Sequence, residues 1–480
     1  MKRPHRDKGV DTDRSPARAV LYQRVLTIVF IIAVAFSVRA LTANFIRAHL
    51  DDPGWFPFGI YAAFDAPAQD WLDARAPIFW IDDSTRTDKA IYAPGYPLWL
   101  ALLYKTTGSR SPQAAQNVQW VIDSFAVLLI IGVGVTAFDW RVGLCAGGLA
   151  ALWPLLATYG AVPLADAPTS WIIVGATWML LLAAKKKSLV WALGAGALLG
   201  VSCWLRANAL LLVFFWAAAI FVFVKATWSR RVTLAAAVIA SALCVIAPII
   251  VRNALVFHAF VPTGLGAGTN LLEGIGETER GMTEFGAPAN DRDVVEQERT
   301  ALNASQVAGF DLYYPDGIQR DRARTRRALA IIARHPFWYA GTVVRRIASV
   351  LKYAGQPNGI YGSAGINVTS RKSLPPQSQG RVISLLVNVL GMVQSILRYI
   401  LLPLMLVGVY FAVRRDWRCA GLILTTIFYY LVVGSLIHTH IRYGLPMQGL
   451  LTIFAAVSLT EIAALVSERI SRRRTLRAGI

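Results

Sequence analysis

Long apolar runs constrain this chain more than any other feature of its sequence. Runs of about 18 residues or more recur along most of the chain, and each is long enough to cross a hydrocarbon core roughly 30 Å thick. Only 16% of the 480 residues are charged, whereas soluble domains carry about 25%. The sequence therefore predicts an all-α polytopic membrane protein.

We predict about ten transmembrane helices, with two polar segments between them. The spans are placed at 25–46, 117–138, 142–158, 167–184, 188–205, 208–225, 232–251, 389–413, 419–437 and 444–466. Helices 1–7 thus occupy 25–251, including an extracytoplasmic first loop at 47–116, and helices 8–10 occupy 389–466. The loop region 252–388 completes a small extracytoplasmic helical region. The charged leader 1–24 is longer than that of a secretory signal, which favours a retained first span.

The basic residues that give the chain its formal charge of +20 are concentrated on one side of the predicted membrane spans. Basic residues fill the tail 1–24, the inner segments at 141, 185–187, 225–231 and 414–418, and the basic tail 467–480, whereas the short outer turns hold only Arg206 and Arg442. This is the positive-inside pattern. It predicts a multi-pass protein of the cell (inner) membrane with both termini cytoplasmic, and it argues against nucleic acid as a partner.

Two acids in separate outer segments are the candidate catalytic residues. Asp65 lies in the first outer loop, and Asp166 stands between two apolar spans, where a carboxylate is costly unless it is hydrated, paired or functional. One acid would activate a nucleophile while the other positions it. The structural alternative for each is an N-cap of the helix that follows.

Five short motifs follow one another along the chain. They are Asp65 with Pro94-Gly95-Tyr96-Pro97; Leu164-Ala165-Asp166-Ala167-Pro168; Leu205-Arg206-Ala207-Asn208-Ala209-Leu210; Pro248 to Arg252-Asn253 with Gly268-Thr269-Asn270-Leu271; and His440-Ile441-Arg442-Tyr443-Gly444-Leu445-Pro446. Their order resembles the GT-C superfamily of membrane glycosyltransferases, in the branch of bacterial protein-mannosyltransferase-like and aminoarabinose-transferase-like enzymes. The chain departs from that pattern at Gln69, where the family often has an aromatic residue, and in the many other acids of its first outer loop.

The resemblance implies a glycosyltransferase that moves a sugar from a polyprenyl-phosphate donor to an acceptor glycan, lipid or protein at an extracytoplasmic site. Asp65 would take the proton of the acceptor, and cations at the membrane boundary would hold the donor phosphate. The implied phosphate-binding residues are Arg206, Arg252, Arg442 and Lys89, and the supporting residues are Tyr92, Tyr96, Asn253, Tyr443 and His440.

Several of these residues have structural alternatives. Arg206 could pair with Asp123 or with a lipid headgroup, Arg442 could extend to lipid phosphates, and Arg252 could anchor the end of its span. Inside the spans, Arg39 and Asp123 favour a mutual structural pair.

The chemistry requires no cofactor, and no cluster of ligands indicates a metal, although the acidic first loop leaves a divalent ion possible. His438 and His440 favour local hydrogen bonds over a metal or proton relay. Three rival functions stay open. They are a polysaccharide polymerase or ligase that uses a lipid-pyrophosphate donor, a transporter or lipid flippase, and a non-catalytic envelope scaffold.

Overall fold

A computed structural model describes residues 15–47, 50, 56–75, 77, 84–90, 92–351, 381–438 and 441–478. This part of the chain is almost entirely helical and contains no strand. Most of the predicted tail 1–24 and residues 352–380 of the outer loop region lie outside it. The predicted all-α fold is confirmed.

The described residues contain eighteen α-helical segments, the longest of which is broken at Asp416. They are α1 (Ser15–Arg47), α2 (Phe56–Leu72), α3 (Gly95–Thr107), α4 (Pro112–Ala137), α5 (Trp140–Leu152), α6 (Pro154–Ala161), α7 (Asp166–Lys186), α8 (Leu189–Leu205), α9 (Leu212–Phe223), α10 (Trp228–Phe257), α11 (Ala267–Gly276), α12 (Glu279–Thr283), α13 (Asp291–Ala301), α14 (Gly317–Arg334), α15 (Pro336–Leu351), α16 (Arg381–Phe428), α17 (Gly434–Ile437) and α18 (Leu445–Ala478).

Every predicted span coincides with an apolar helical segment, which makes this a multi-pass membrane protein. Six helices are long and apolar enough to cross a membrane, and the bent pair α5–α6 would make seven. The predicted spans 188–205 and 208–225 correspond to two shorter apolar helices. The predicted spans 389–413 and 419–437 share one long stretch, Tyr399–Ile437, which contains a break at Asp416.

At Asp416 one helix ends and a second helix begins. Its backbone leaves the helical region, and its carboxylate accepts hydrogen bonds from the backbone nitrogens of Arg418 and Cys419 at 3.1 and 3.0 Å. This is the bonding of an N-cap residue, so the long stretch consists of two helices in sequence. The two predicted spans lie on either side of the break.

Two predicted helices are interrupted at proline. The predicted span 142–158 bends by 59° where α6 begins at Pro154, because proline cannot donate the helical hydrogen bond. The apolar periodicity of 318–352 likewise predicts one helix, with its basic residues at the lipid headgroups, but the structure divides it at Pro336 into α14 and α15. Arg320 and Arg324 are buried and bonded to Glu298, which corrects the prediction for these two residues.

The apolar helices pack as a closed bundle, with smaller helices at one end. Around the bundle, α1 contacts α4, α4 contacts α7, and α7 contacts α8; α8 then contacts α10, which contacts α9. The circuit continues through α16 and α18 back to α5. Helices α2 and α3 pack on each other and on this bundle, and α11 to α15 form a second group that contacts α17.

Candidate functional site

Asp166 and Arg206 form an ion pair at one end of the bundle. Helices α7 and α8 form an antiparallel hairpin, so the first residue of α7 and the residue that ends α8 lie at the same level. The Arg206 guanidinium donates to the Asp166 carboxylate. The Asp166 side chain is 2% exposed and that of Arg206 is 21% exposed, so part of the guanidinium remains accessible. Arg206 therefore pairs with Asp166 and not with Asp123, which was the structural alternative.

Tyr443 brings a second arginine to this pair. The guanidinium carbon of Arg206 lies 4.8 Å from the centre of the Tyr443 ring, and that of Arg442 lies 5.2 Å from it. The Tyr443 hydroxyl donates to Asn270 Oδ1 at 3.4 Å. Segments from four of the five motifs thus meet here, because Asp166, Arg206, Asn270 and Tyr443 come from different ones. Two guanidinium groups thus lie against one tyrosine ring, and guanidinium groups are well suited to binding an anion such as phosphate.

Two further tyrosines lie within electrostatic range of the two arginines. The charges of Arg442 and Arg206 act on the hydroxyls of Tyr92, from the first outer loop, and of Tyr159, from α6. The Tyr92 ring packs at 4.6 Å on Phe64, which anchors that loop segment to α2. Tyr159 was not predicted from the sequence, because its position beside the arginines depends on the bend between α5 and α6.

In the described part of the chain, Tyr96 contacts the neighbouring helix α4 and not the arginine cluster. It is fully buried, and its hydroxyl donates to Gln119 Oε1 on α4 at 3.0 Å. The neighbouring Gly95 packs so closely on α8 that an added Cβ would lie 2.5 Å from the Trp204 carbonyl oxygen. The Pro94-Gly95-Tyr96-Pro97 motif therefore begins α3 and holds it against α4 and α8.

Asp65 lies in the middle of α2, so the N-cap alternative is wrong for this residue. Its carboxylate accepts a hydrogen bond from Tyr104 on α3 and one from Gln69 at 3.4 Å. Tyr104 is bonded in turn to Tyr61. Within the described residues, no contact joins Asp65 to Asp166 or Arg206. Asp65 as catalytic base stays a prediction.

The N-cap alternative is also wrong for Asp166. The residue before α7 is Ala165, and no side chain caps this helix end. Asp166 occupies the first helical position, and its carboxylate is directed to Arg206.

Arg252 and Asn253 hold the end of α10. Arg252 donates through Nε and Nη2 to Asn253 Oδ1 at 2.9 and 2.6 Å, and Asn253 Nδ2 donates to the Val261 carbonyl at 2.8 Å. These bonds fit the anchoring alternative, and a phosphate contact by Arg252 stays a prediction. The Lys89 side chain and His440 lie outside the described residues.

Acids that the sequence did not single out lie beyond Tyr443. His438 Nδ1 is 3.2 Å from Glu277 Oε2, and its ring centre is 6.0 Å from that of Tyr443. Glu273 is buried one turn before Glu277 on α11, and the charge of Asp291 acts on both Glu273 and Tyr92. Glu273 comes two residues after the Gly268-Thr269-Asn270-Leu271 segment, a signal that could have drawn attention to it.

No protein-family model matches the chain, and no curated protein does. Solved structures do. The archaeal oligosaccharyltransferase AglB from Archaeoglobus fulgidus, in complex with an inhibitory peptide and a dolichol-phosphate, aligns at 13% identity and a TM-score of 0.51 over 96% of this chain and 52% of AglB. An Archaeoglobus fulgidus oligosaccharyltransferase tethered to an acceptor peptide aligns at 12% identity and a TM-score of 0.52, over 95% of this chain and 51% of that one. The chain has the GT-C fold.

This chain spans about half the length of AglB. Among the described residues, no group of three or more His, Cys, Asp or Glu side chains is arranged to hold a metal ion. The four cysteines of the chain are free thiols.

Glu273 should make the stability of the protein depend on pH. Burial raises the pKa of the Glu273 carboxyl far above its ordinary value of 4.5, and the neighbouring Asp291 carboxyl adds to the shift. The folded protein therefore keeps a proton that the unfolded chain releases. Stability should fall as pH rises from 4.5 towards the raised folded value.

Glu273→Gln should remove that loss, because the amide has the same shape and does not titrate. We expect the variant to raise the Tm more at about pH 8 than at about pH 5. Thermal unfolding in nanodiscs measures both values, with the exposed Glu279→Gln as the matched control. An equal shift at both pH values would contradict the prediction.

Proposed function

We propose that the protein transfers a sugar from a polyprenyl-phosphate donor to an acceptor at the outer face of the membrane. One observation carries the proposal. Arg206 and Arg442 lie against the same tyrosine ring at a bundle end, with the carboxylate of Asp166 bonded to Arg206. Two guanidinium groups can grip a phosphate at several oxygens, and their positive charge stabilises the negative charge that the departing lipid phosphate acquires.

The orientation of α7 supports an outer location for the site. Its first residue is Asp166, and its last turn carries Lys185 and Lys186. A helix of 21 residues rises about 1.5 Å per residue, or roughly 30 Å, which is the thickness of the hydrocarbon core. Lysines are enriched on the cytoplasmic side. This orientation supports an extracytoplasmic boundary for the arginine cluster, and the proposal keeps both chain termini on the cytoplasmic side.

In the proposed reaction the donor enters from the bilayer with its phosphate at Arg206 and Arg442. Asp166 holds Arg206 in position. Asp65, as predicted from the sequence, takes the proton of the acceptor hydroxyl or amine as it attacks the anomeric carbon, and the configuration at that carbon inverts. The bond from the anomeric carbon to the phosphate oxygen breaks, and lipid phosphate leaves. The acceptor would be a glycan, a lipid or a protein recognised by the outer helices α2, α3 and α11 to α15.

A donor assay tests this function and the base together. Purified protein in nanodiscs is given radiolabelled polyprenyl-phosphate sugars, polyprenyl-pyrophosphate sugars and nucleotide sugars in parallel. We expect transfer from the lipid-phosphate donor alone, and a loss of about 10²–10⁴-fold in Asp65→Asn because a general base contributes that much. Asp70→Asn, in the same helix but paired with Arg75, is the matched control and should stay active.

Other results of the donor assay would support one of the rival functions. Transfer from the pyrophosphate donor would indicate the polymerase or ligase reaction. Movement of lipid or solute without turnover of any donor would indicate a transporter or flippase. Full activity in Asp65→Asn, with the lipid-phosphate donor used, would retain the reaction and remove Asp65 as its base.

A further inference from the structure

A π-helical turn lies beside the candidate site. After α16 the chain widens into a π-helix over Tyr429–Val433 before it returns to α17. Such turns are rare and are frequently found at functional sites. The Tyr429 hydroxyl donates to the Asn208 carbonyl oxygen at 2.6 Å, which fastens this π turn to the segment immediately after Arg206.

Two buried polar groups at this contact lack hydrogen-bond partners among the described residues. One is the hydroxyl of Tyr430, a residue only 5% exposed, and the other is the side-chain oxygen of Asn208. A buried polar group without a partner destabilises a fold, and most such groups are satisfied in folded proteins. Their chemical demands are complementary, since the phenol can donate and the amide oxygen can only accept.

Both groups are joined to the Arg206 segment. Asn208 follows Arg206 by two residues, and Tyr430 follows Tyr429, whose hydroxyl bonds the Asn208 carbonyl oxygen. Tyr430 belongs to the stretch Tyr399–Ile437, which is long and apolar enough to cross a membrane, whereas Arg206 follows the last residue of α8. Tyr430 is thus on the membrane side of Arg206, where the linkage between the lipid and its phosphate would lie if the donor enters from the bilayer.

We propose that Tyr430 and Asn208 form a second binding contact for the donor, specific for a phosphodiester with a neighbouring hydroxyl group. Tyr430 donates to a phosphate oxygen, and Asn208 Oδ1 accepts from the sugar hydroxyl next to the anomeric carbon. Glycosyl phosphates present this acceptor and this donor side by side. The inference rests on the proposed function and names the part of the substrate that these residues recognise.

Phospholipids with a glycerol headgroup offer the same pair of groups. The binding experiment therefore uses nanodiscs of phosphatidylcholine alone and nanodiscs that also contain phosphatidylglycerol. The probes are polyprenyl phosphate, polyprenyl-phosphate glucose and its 2-deoxy analogue. Affinities are measured for the wild type, Tyr430→Phe, Asn208→Leu and the exposed control Tyr410→Phe from the same long helical stretch.

Tyr430→Phe should weaken both polyprenyl phosphate and polyprenyl-phosphate glucose by about 10–100-fold, because the lost hydrogen bond is to a charged group. Asn208→Leu should weaken only polyprenyl-phosphate glucose, by roughly 3–10-fold, and should not affect the 2-deoxy analogue. The ligand-free Tm of Tyr430→Phe should equal or exceed that of the wild type, since no protein partner is lost.

Three results would overturn the inference. The first is unchanged donor affinity in Tyr430→Phe while the wild type binds and uses the donor, which leaves the proposed function standing. The second is a lower ligand-free Tm without a change in affinity, which would make the hydroxyl structural. The third is a Tyr430-dependent effect of phosphatidylglycerol alone. Failure of the wild type to bind any lipid-phosphate probe would instead count against the proposed function and, with it, this inference.

Discussion

Arg206→Gln is expected to lower kcat/KM for the lipid-phosphate donor by about 10²–10³-fold, because it removes a charge aimed at the leaving phosphate. The same change should lower the free energy of unfolding by about 3–5 kcal/mol, since it leaves the buried Asp166 carboxylate without its partner. Donor turnover and thermal unfolding in the same nanodiscs measure the two effects separately.

A double variant separates the two roles of Arg206. Asp166→Asn combined with Arg206→Gln removes both charges, so stability should return towards the wild type while transfer stays lost. Arg206→Lys keeps the charge but not the forked geometry, and we expect an intermediate loss of turnover. Arg230→Gln, an arginine at the opposite bundle end that bonds the Lys187 carbonyl, is the control. Recovery of transfer in the double variant would mean that Arg206 has only a structural role.

The second large effect is expected at the ion pair inside the bundle. Arg39 Nε donates to Asp123 Oδ2 at 2.5 Å and Nη1 to the Ala151 carbonyl at 3.1 Å, and both residues are almost fully buried. Arg39→Met should lower the free energy of unfolding by about 3–5 kcal/mol, because Asp123 becomes an unpaired buried charge. Thermal unfolding measures the loss.

Arg39→Met combined with Asp123→Asn should recover most of that stability, because the amide can keep the hydrogen bond from Trp171 without carrying a charge. Arg47→Met, at the exposed end of the same helix, should have little effect. If the double variant is no more stable than Arg39→Met, the loss of stability does not come from the unpaired charge of Asp123, which would contradict the prediction.

The helices were predictable because each apolar segment carries its own signal. Span length and the charge bias at segment ends identify α1, α4 and α7 without knowledge of their neighbours. Breaks within the predicted helices were harder to predict from the sequence. Pro154 and Pro336 interrupt them, yet proline in a helix can produce either a kink or an end, and the local sequence does not decide between the two.

Partner choice in the site was only partly predictable. The sequence identified Asp166, Arg206 and Arg442 as membrane-boundary charges, but it did not assign Asp166 as the partner of Arg206. That assignment depends on the hairpin of α7 and α8. The Arg39–Asp123 pair was predicted correctly, since two charges inside spans have few other partners.

Close packing at two glycines explains why the acids near Tyr443 were missed. A Cβ on Gly274 would lie 2.1 Å from the Ile437 carbonyl oxygen, and one on Gly276 would lie 2.1 Å from that of Pro288. These backbone contacts bring α11 against the segments that carry His438 and Asp291. Such contacts between distant parts of the chain have no local sequence signature.

The antiparallel course of α7 and α8 gives the Asp166–Arg206 pair a fixed polarity. The start of α7 carries the positive end of its backbone dipole, and the end of α8 carries the negative end of its own. The carboxylate and the guanidinium are thus each located at the helix terminus that favours their sign. An exchange of the two residues would place both charges against unfavourable termini, so their order along the chain is part of the architecture.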